Sequence, residues 1–308
     1  MPLFSIVIPT YNRANALQHC LQALKEQSFK DFEVLVCDDG SEDNTKEVVE
    51  SYRDKLDLKY YWQENWGGPA KPRNLGIRAS EGEWICFLDS DDWFYPEKLQ
   101  EVAKVLVGVD FIYHGLDYYN ESYEKVFTPK VKVANLKKNH LFVDLLCSGN
   151  IFANSSVVVR KSIVVEAQGL SEDKKLIAVE DLDLWLKISL ITNRFRCISK
   201  SLGGYYIGGD NLSQHSDKQM DRLAALYNKH LPSLPTARQR DAQTFLMYTN
   251  GITQIEMSRV KDARKSFLFA FTKSRMNSLR IKACLRYFLS FISISPKKAY
   301  MKLFRAVE

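Results

Sequence analysis

The chain has 308 residues, 45% hydrophobic and 26% charged, a balance that supports one large core and a smaller one and excludes wholesale disorder. No apolar run reaches the roughly eighteen residues of a membrane-spanning helix. The apolar stretch at the N-terminus is too short for a signal peptide, so the expectation is a fold that starts near residue 1 in a cytoplasmic protein. The net charge of +6 hides an asymmetry: residues 259–308 hold thirteen Lys and Arg against two acids, and residues 1–258 are acidic.

In chain order, residues 4–8 (FSIVI) read as a buried strand, followed by Leu17, Cys20, Leu21 and Leu24 at helical spacing. Residues 32–37 predict a second strand. In the DDGSEDNT turn behind it, Ser41 or Asp43 stands where the cap of a helix through Val48 and Val49 belongs. Further strands are expected at 58–62, 84–88, 110–113 and 156–159, and a helix at 180–190. This alternation predicts an α/β fold, a mostly parallel sheet flanked by helices. The polar turns after residues 8, 37 and 88 then share the rim where open α/β sheets bind ligands. Beyond about residue 215 the strand signals stop. The expected division is a catalytic domain over 1–217 and a basic helical extension over 218–308. The six cysteines show no CxxC pair and read as reduced core thiols.

Asp89-Ser90-Asp91-Asp92, directly after WICFL, is the sharpest chemical signal. If the chain stays extended, Asp89 and Asp91 point the same way, and two such carboxylates repel unless a cation sits between them. Mg²⁺ or Mn²⁺ with a substrate diphosphate would resolve the conflict; a solvated acidic loop capping the next helix is the alternative. Pro9-Thr10-Tyr11-Asn12-Arg13 and Asp38-Asp39-Gly40-Ser41 follow strands on the same rim. A ring and a carboxylate converging there would suit a nucleobase, although all these residue types also form plain turns.

The strings SIVIPTYNR, VLVCDDGSEDNT, GGPAKPRNLGIRAS and ICFLDSDDWFYPEKL resemble, in order and spacing, the inverting family 2 glycosyltransferases of the GT-A fold. The resemblance is dense over about residues 3–100 and thins towards about 215. It implies a nucleotide pocket lined by Pro9, Thr10 and Tyr11, and a uracil edge met by Asp39 or Asp38 if the donor is a UDP-sugar. Arg73 would reach the base or the diphosphate, Asp89 and Ser90 the ribose or donor sugar, and Asp91, with Asp89, the metal. In IAVEDLDLWLKI it points to Asp181 as catalytic base, with Glu180 beside it; a helix N-terminus favours the ionised carboxylate. The implied reaction is one displacement with inversion, onto a hydroxyl of a glycan or lipid-linked glycan. A nucleotidyltransferase and a non-catalytic scaffold are the rival readings.

The chain departs from the family after this base. LGGYYIGGDNLSQHS has Ile207 after Tyr206 and no nearby Arg, leaving His215 as a candidate metal or phosphate ligand. Its four glycines (Gly203, Gly204, Gly208 and Gly209) suggest a loop that closes over the donor. Further on, Gly251, Ala263, Phe267 and Ala270 are spaced like a tetratricopeptide-type helix pair. The basic, apolar segment 278–308 suits a helix in an anionic membrane interface, on the cytoplasmic face of the inner membrane. It equally suits a solvated basic face, and no nucleic-acid recognition motif accompanies it.

Overall fold

The structure, a computed structural model, describes residues 1–129, 140–208 and 215–291. The chain divides into two compact units, Met1–Leu141 with Asn150–Asn211, and Phe142–Gly149 with Leu212–Glu308.

The first unit is built on β1 (Phe4–Thr10), β2 (Phe32–Asp38), β3 (Leu58–Trp62) and β4 (Trp84–Phe87), which run parallel in the order β3-β2-β1-β4. Every residue of β1 and β2 is buried, as expected of parallel strands covered on both faces. On one face, α1 (Ala14–Lys25) lays Leu17, Cys20, Leu21 and Leu24 onto Ile6, Ile8, Val34 and Val36, with α2 (Thr45–Glu50) alongside through Val49. On the other, α3 (Ala70–Ala79) lies so close that a Cβ on Gly76 would meet Val7 at 2.6 Å and Cys37 at 2.8 Å. The order reverses between β1 and β4, so the crevice of the sheet opens at their C-terminal ends.

Past β4 the sheet turns mixed. Antiparallel to β4 is β8 (Val158–Arg160), then β6 (Phe111–Tyr119), which runs parallel to β9 (Phe195–Tyr206); β9 holds β5 (Trp93–Phe94) antiparallel at the edge. A hairpin joins β6 to β7 (Lys125–Phe127). Helices α4 (Lys98–Ala103), α6 (Lys161–Glu166) and α7 (Glu180–Ile191) complete this half. Trp185 of α7 meets Phe87 and Phe111 edge-on, at 5.4 and 5.2 Å between centroids.

Two expectations are corrected here. Residues 89–92 are not extended: Asp92 N–H donates to Asp89 O at 3.0 Å, a turn that swings the chain from β4 out to β5. Nor are Gly203 and Gly204 a closing loop. They lie in β9 against Trp93 and Phe94, and a Cβ on Gly204 would sit 2.2 Å from the Trp93 ring. The glycines are there to admit a tryptophan. Gly209 lies outside the described residues.

The second unit contains Phe142–Gly149, which includes most of α5 (His140–Ser148), together with α8 (Asp217–His230), α9 (Thr236–Glu256), α10 (Val260–Lys273) and α11 (Asn277–Leu289). Tyr227 of α8 donates to Leu146 O at 2.8 Å. Ala263, Phe267, Ala270 and Ala283 are fully buried between the last three helices, and a Cβ on Gly251 would meet the Phe267 ring at 2.6 Å. The small residues noted in the sequence thus let α9 and α10 pack closely. Residues 292–308, the end of the segment suited to a membrane interface, lie outside the described residues.

Candidate active site

At the rim of β1 and β2, Thr10 and Asp38 are in register. Asn12, at φ +49°, donates its N–H to Ser41 Oγ and accepts from Glu42 N–H, both at 2.8 Å, which knits the two turns together. Asp43 accepts from Ala14 N–H at 3.0 Å and from Thr45 N–H at 3.1 Å, so it anchors the starts of both α1 and α2. Ser41 serves the Asn12 turn instead of capping α2. Asp38, fully buried, accepts from Ser41 N–H at 2.8 Å and from the Tyr60 hydroxyl at 2.6 Å. Asp39 accepts from Gln63 Nε2 (2.6 Å), Trp66 N–H (2.9 Å), Gly67 N–H (2.9 Å) and Gly68 N–H (3.3 Å). Four donors occupy the acceptor sites a carboxylate offers, so Asp39 ties the 63–68 loop to the rim. Pro9 is buried, Thr10 Oγ1 is buried without a partner among the described residues, and Tyr11 is 48% exposed.

The acidic turn faces this rim across the β1–β4 crevice. Asp89 Oδ1 accepts from Arg73 at 2.6 Å and from Asn154 Nδ2 at 2.8 Å. Asp91 pairs with Arg13, at the start of α1. Asp92 accepts from Ser155 Oγ and, at 3.0 Å, from Tyr206 N–H; Ser90 is buried beside it. Arg73, buried on α3, reaches two ways: NH2 to Asp89 and NH1 to Glu180 Oε1, each at 2.6 Å. Arg73 thus reaches a residue 107 positions away in the chain while holding Asp89, bringing the Glu180-Asp181 element to the acidic turn.

The segment leading into α7 is held by α3. Asn74 donates to Leu170 O at 2.9 Å and to Glu172 at 2.8 Å, and accepts from Leu170 N–H at 2.9 Å. Gly169, at φ +63°, leaves room for that amide: a Cβ there would stand 2.6 Å from Asn74 Oδ1. Asp181 Oδ1 accepts from Leu182 N–H at 2.7 Å.

The electrostatics are those of a site short of positive charge. Burial, and then the Glu180 carboxylate, push Asp181 up to about 7 against the pull of Arg73. Burial raises Asp91 in spite of Arg13, and Asp89 adds to the rise. Asp92 is driven well above the usual range by burial and by Asp91 and Asp89. Behind them Lys98, fully buried with Nζ 3.0 Å from Ser155 O, is brought down to about 7 by burial.

Residues 5–158 match the family model for glycosyl transferase family 2. The chain belongs to that family. It is 31% identical over 226 residues to TarS, the poly(ribitol-phosphate) β-N-acetylglucosaminyltransferase of Staphylococcus aureus, a match covering 70% of this chain and 37% of that protein. The chain thus spans well under half the length of this relative. The first 349 residues of TarS, solved with UDP-GlcNAc, superpose with a TM-score of 0.66 at 23% identity, over 94% of this chain and 89% of that one. A mannosyltransferase of Pyrobaculum calidifontis, solved with GDP-Man and Mn²⁺, superposes with a TM-score of 0.61 at 15% identity, over 94% and 85%. These are likenesses of fold. The chain has the GT-A architecture, with a mixed sheet flanked by helices and helices at its C-terminal end.

Of the site residues read from sequence, Pro9, Thr10, Tyr11, Asp38 and Asp39 line one side of the crevice, while Arg73, Asp89, Ser90, Asp91 and Asp181 belong to the acidic group. His215 belongs to the second unit, with Nδ1 3.1 Å from Thr253 Oγ1 of α9. Asn74, Asn154 and Ser155 were not foreseen. Asn154 and Ser155 sit in a short 3-10 turn, Asn154–Ser156, and a polar FANSS stretch reads as an ordinary loop.

Proposed function

We propose that this enzyme moves a sugar, with inversion, from a UDP-sugar to a hydroxyl of a glycan or lipid-linked glycan, in a reaction that needs Mn²⁺ or Mg²⁺. The observation that carries the reading is the Asp89–Arg73–Glu180 bridge, which sets a carboxylate with a value of about 7 beside an acidic turn. A base poised near neutrality suits removal of a hydroxyl proton. Residues 1–217 form the catalytic domain in this reading.

Asp181 takes the acceptor proton as the hydroxyl oxygen attacks the anomeric carbon from the face opposite the nucleotide. Glu180 and Arg73 tune the basicity of Asp181 in opposite senses, Glu180 raising it and Arg73 lowering it. Arg73 also offers positive charge to the departing diphosphate. Thr10 and Tyr11 line the nucleotide side, with Asp38 and Asp39 shaping the rim that meets the base.

The donor set fits a hard divalent cation: Asp91 is a desolvated carboxylate whose burial and neighbouring Asp89 leave it in need of positive charge. Among the described residues no group of three or more His, Cys, Asp and Glu side chains is arranged to hold a metal. Hard divalent ions at phosphate sites are held by one or two carboxylates and completed by substrate phosphates. Asp91 and Asp89 would hold it, and when bound it would neutralise charge growing on the diphosphate.

For the extension over 218–308, we propose peripheral contact with anionic membrane. Along α11, Ile281 (61%), Leu285 (42%) and Phe288 (63%) are exposed beside Arg280 and Lys282. No helix among the described residues is long and apolar enough to cross a membrane.

The reading is tested by incubating the protein with UDP-GlcNAc and other nucleotide-sugars, with Mn²⁺ or with EDTA, scoring donor hydrolysis and thermal stabilisation. Metal-dependent stabilisation by a UDP-sugar is expected. Equal response to every nucleotide with EDTA present would overturn it.

A further inference from the structure

The transfer chemistry makes no use of Lys98, although its side chain is among the largest that are fully buried. Lys98 opens α4, and its Nζ lies 3.0 Å from Ser155 O and 3.1 Å from the centre of the Phe94 ring. A carbonyl and an aromatic face are both fit partners for an ammonium. They do not make a charge the stable choice here. An apolar side chain of similar volume commonly serves stability as well as a buried charge or better. Burial works against the ammonium, and the nearby Asp92 carboxylate works for it. Stability alone is a poor account of a lysine at this position.

What Lys98 holds is the turn Asn154–Ser156, which carries two donors to the acidic turn. From its pinned carbonyl, Ser155 extends a hydroxyl that is used twice: Oγ accepts from Asp89 N–H at 3.1 Å and donates to Asp92. Asn154 donates Nδ2 to Asp89 Oδ1 at 2.8 Å, the same oxygen that accepts from Arg73 at 2.6 Å. With both bonds on one oxygen, Asp89 Oδ2 has no hydrogen-bond partner among the described residues, and the side chain stays 28% exposed. Asp92 is fixed at both oxygens instead, by Ser155 and by Tyr206 N–H. The brace thus locks one carboxylate into the fold and leaves the other with an open oxygen. A carboxylate pinned through one oxygen is ready to meet a cation through the second.

We infer that Lys98 is a positioning residue for the acidic turn: by holding the Ser155 carbonyl it sets the Asn154–Ser155 brace that presents Asp89 to a divalent cation. The inference rests on the glycosyl-transfer reading above.

Two measurements on the full chain test it, in wild type, Lys98→Met, Ser155→Ala and the double variant. Amide hydrogen exchange without ligand reports on the brace itself, and EPR titration of Mn²⁺ with UDP reports on the cation. Lys98→Met should melt at or above the wild-type temperature, because the apolar chain fills the same space. Exchange at Asp89 and Tyr206 should quicken at least tenfold in Lys98→Met, with the β1 and β2 amides unchanged. Affinity for Mn²⁺ in the presence of UDP should fall about tenfold, as when a residue behind a metal ligand is removed. The losses in Lys98→Met and Ser155→Ala should overlap in the double variant and not add. Unchanged exchange, or wild-type Mn²⁺ affinity, in a folded Lys98→Met overturns the inference. Should Lys98→Met fail to fold, wild-type Mn²⁺ affinity in Ser155→Ala overturns it. A wild type that holds no Mn²⁺ with UDP defeats the glycosyl-transfer reading, while the exchange comparison, which needs no ligand, still decides the brace.

Discussion

Glu33, near the start of β2, and Asp92, just past the end of β4, are buried carboxylates of the same sheet in very different company. Glu33 accepts from Ser5 Oγ (2.6 Å), Lys59 Nζ (2.9 Å), Glu81 N–H (2.5 Å) and Gly82 N–H (3.2 Å). Burial alone would raise it, but Ser5, the Glu81 N–H and Lys59 outweigh burial and hold it below the usual range. Asp92 also has two donors, yet burial and two acidic neighbours drive it the other way. At the strand starts the charge is fully matched within the chain. In the acidic group, Asp91 and Asp92 of the turn after β4 and Asp181 at the start of α7 are all raised, Arg13 and Arg73 notwithstanding. In the function proposed above, the difference separates carboxylates that hold the fold from those that serve the reaction.

The sharpest contrast comes from removing one acid at each end. Asp181→Asn should lower kcat by about 10²- to 10⁴-fold, the usual worth of a general base, with thermal stability kept or raised. An activity loss accompanied by unfolding would return Asp181 to a structural role. Glu33→Gln should do the reverse, costing roughly 2–3 kcal/mol in urea unfolding through lost charge-assisted bonds, while the folded fraction keeps its turnover.

The pH response should split by sign. Asp181 rises from 3.8 to about 7 in the folded state, so between those values the native protein holds a proton that the unfolded chain releases. Its contribution to stability therefore falls as pH rises through about 7. Glu33 lies below 4.5 when folded; its contribution is present above 4.5 and is lost as pH falls through the folded value. Each slope is at most about 1.4 kcal/mol per pH unit. Urea midpoints across pH should lose the neutral slope in Asp181→Asn and the acidic slope in Glu33→Gln. Turnover should rise with pH through about 7.

The smallest expected effect is at Gly169. Gly169→Ala places a Cβ on a left-handed residue against Asn74 and should cost about 1–2 kcal/mol, with turnover down severalfold because α7 shifts relative to Arg73. Unchanged turnover would detach the Asn74 clasp from catalysis.

Much of this was legible beforehand because motifs and strand ends coincide. The apolar runs at 4–8, 32–37 and 84–88 located the rim, and the DSDD, PRN and VED strings named Asp89, Arg73 and Glu180, which the structure brings together. What stayed hidden was geometry made by distant residues. Asp39 carries no sign that residues 63–68 would use up its acceptors, and nothing in FANSS reveals that Asn154 and Ser155 would brace Asp89 and Asp92. The glycines of β9 misled for a physical reason: glycine marks flexible loops and close contacts alike, and only the Trp93 ring distinguishes the two.

The central claim is that the acidic turn exists to meet a cation-bound diphosphate. Calorimetric titration of UDP-GlcNAc into wild type and Asp91→Asn, with Mn²⁺ and then with EDTA, tests it directly. Binding should need Mn²⁺ in the wild type and weaken at least tenfold in the variant. Equal affinity in all four titrations would contradict it.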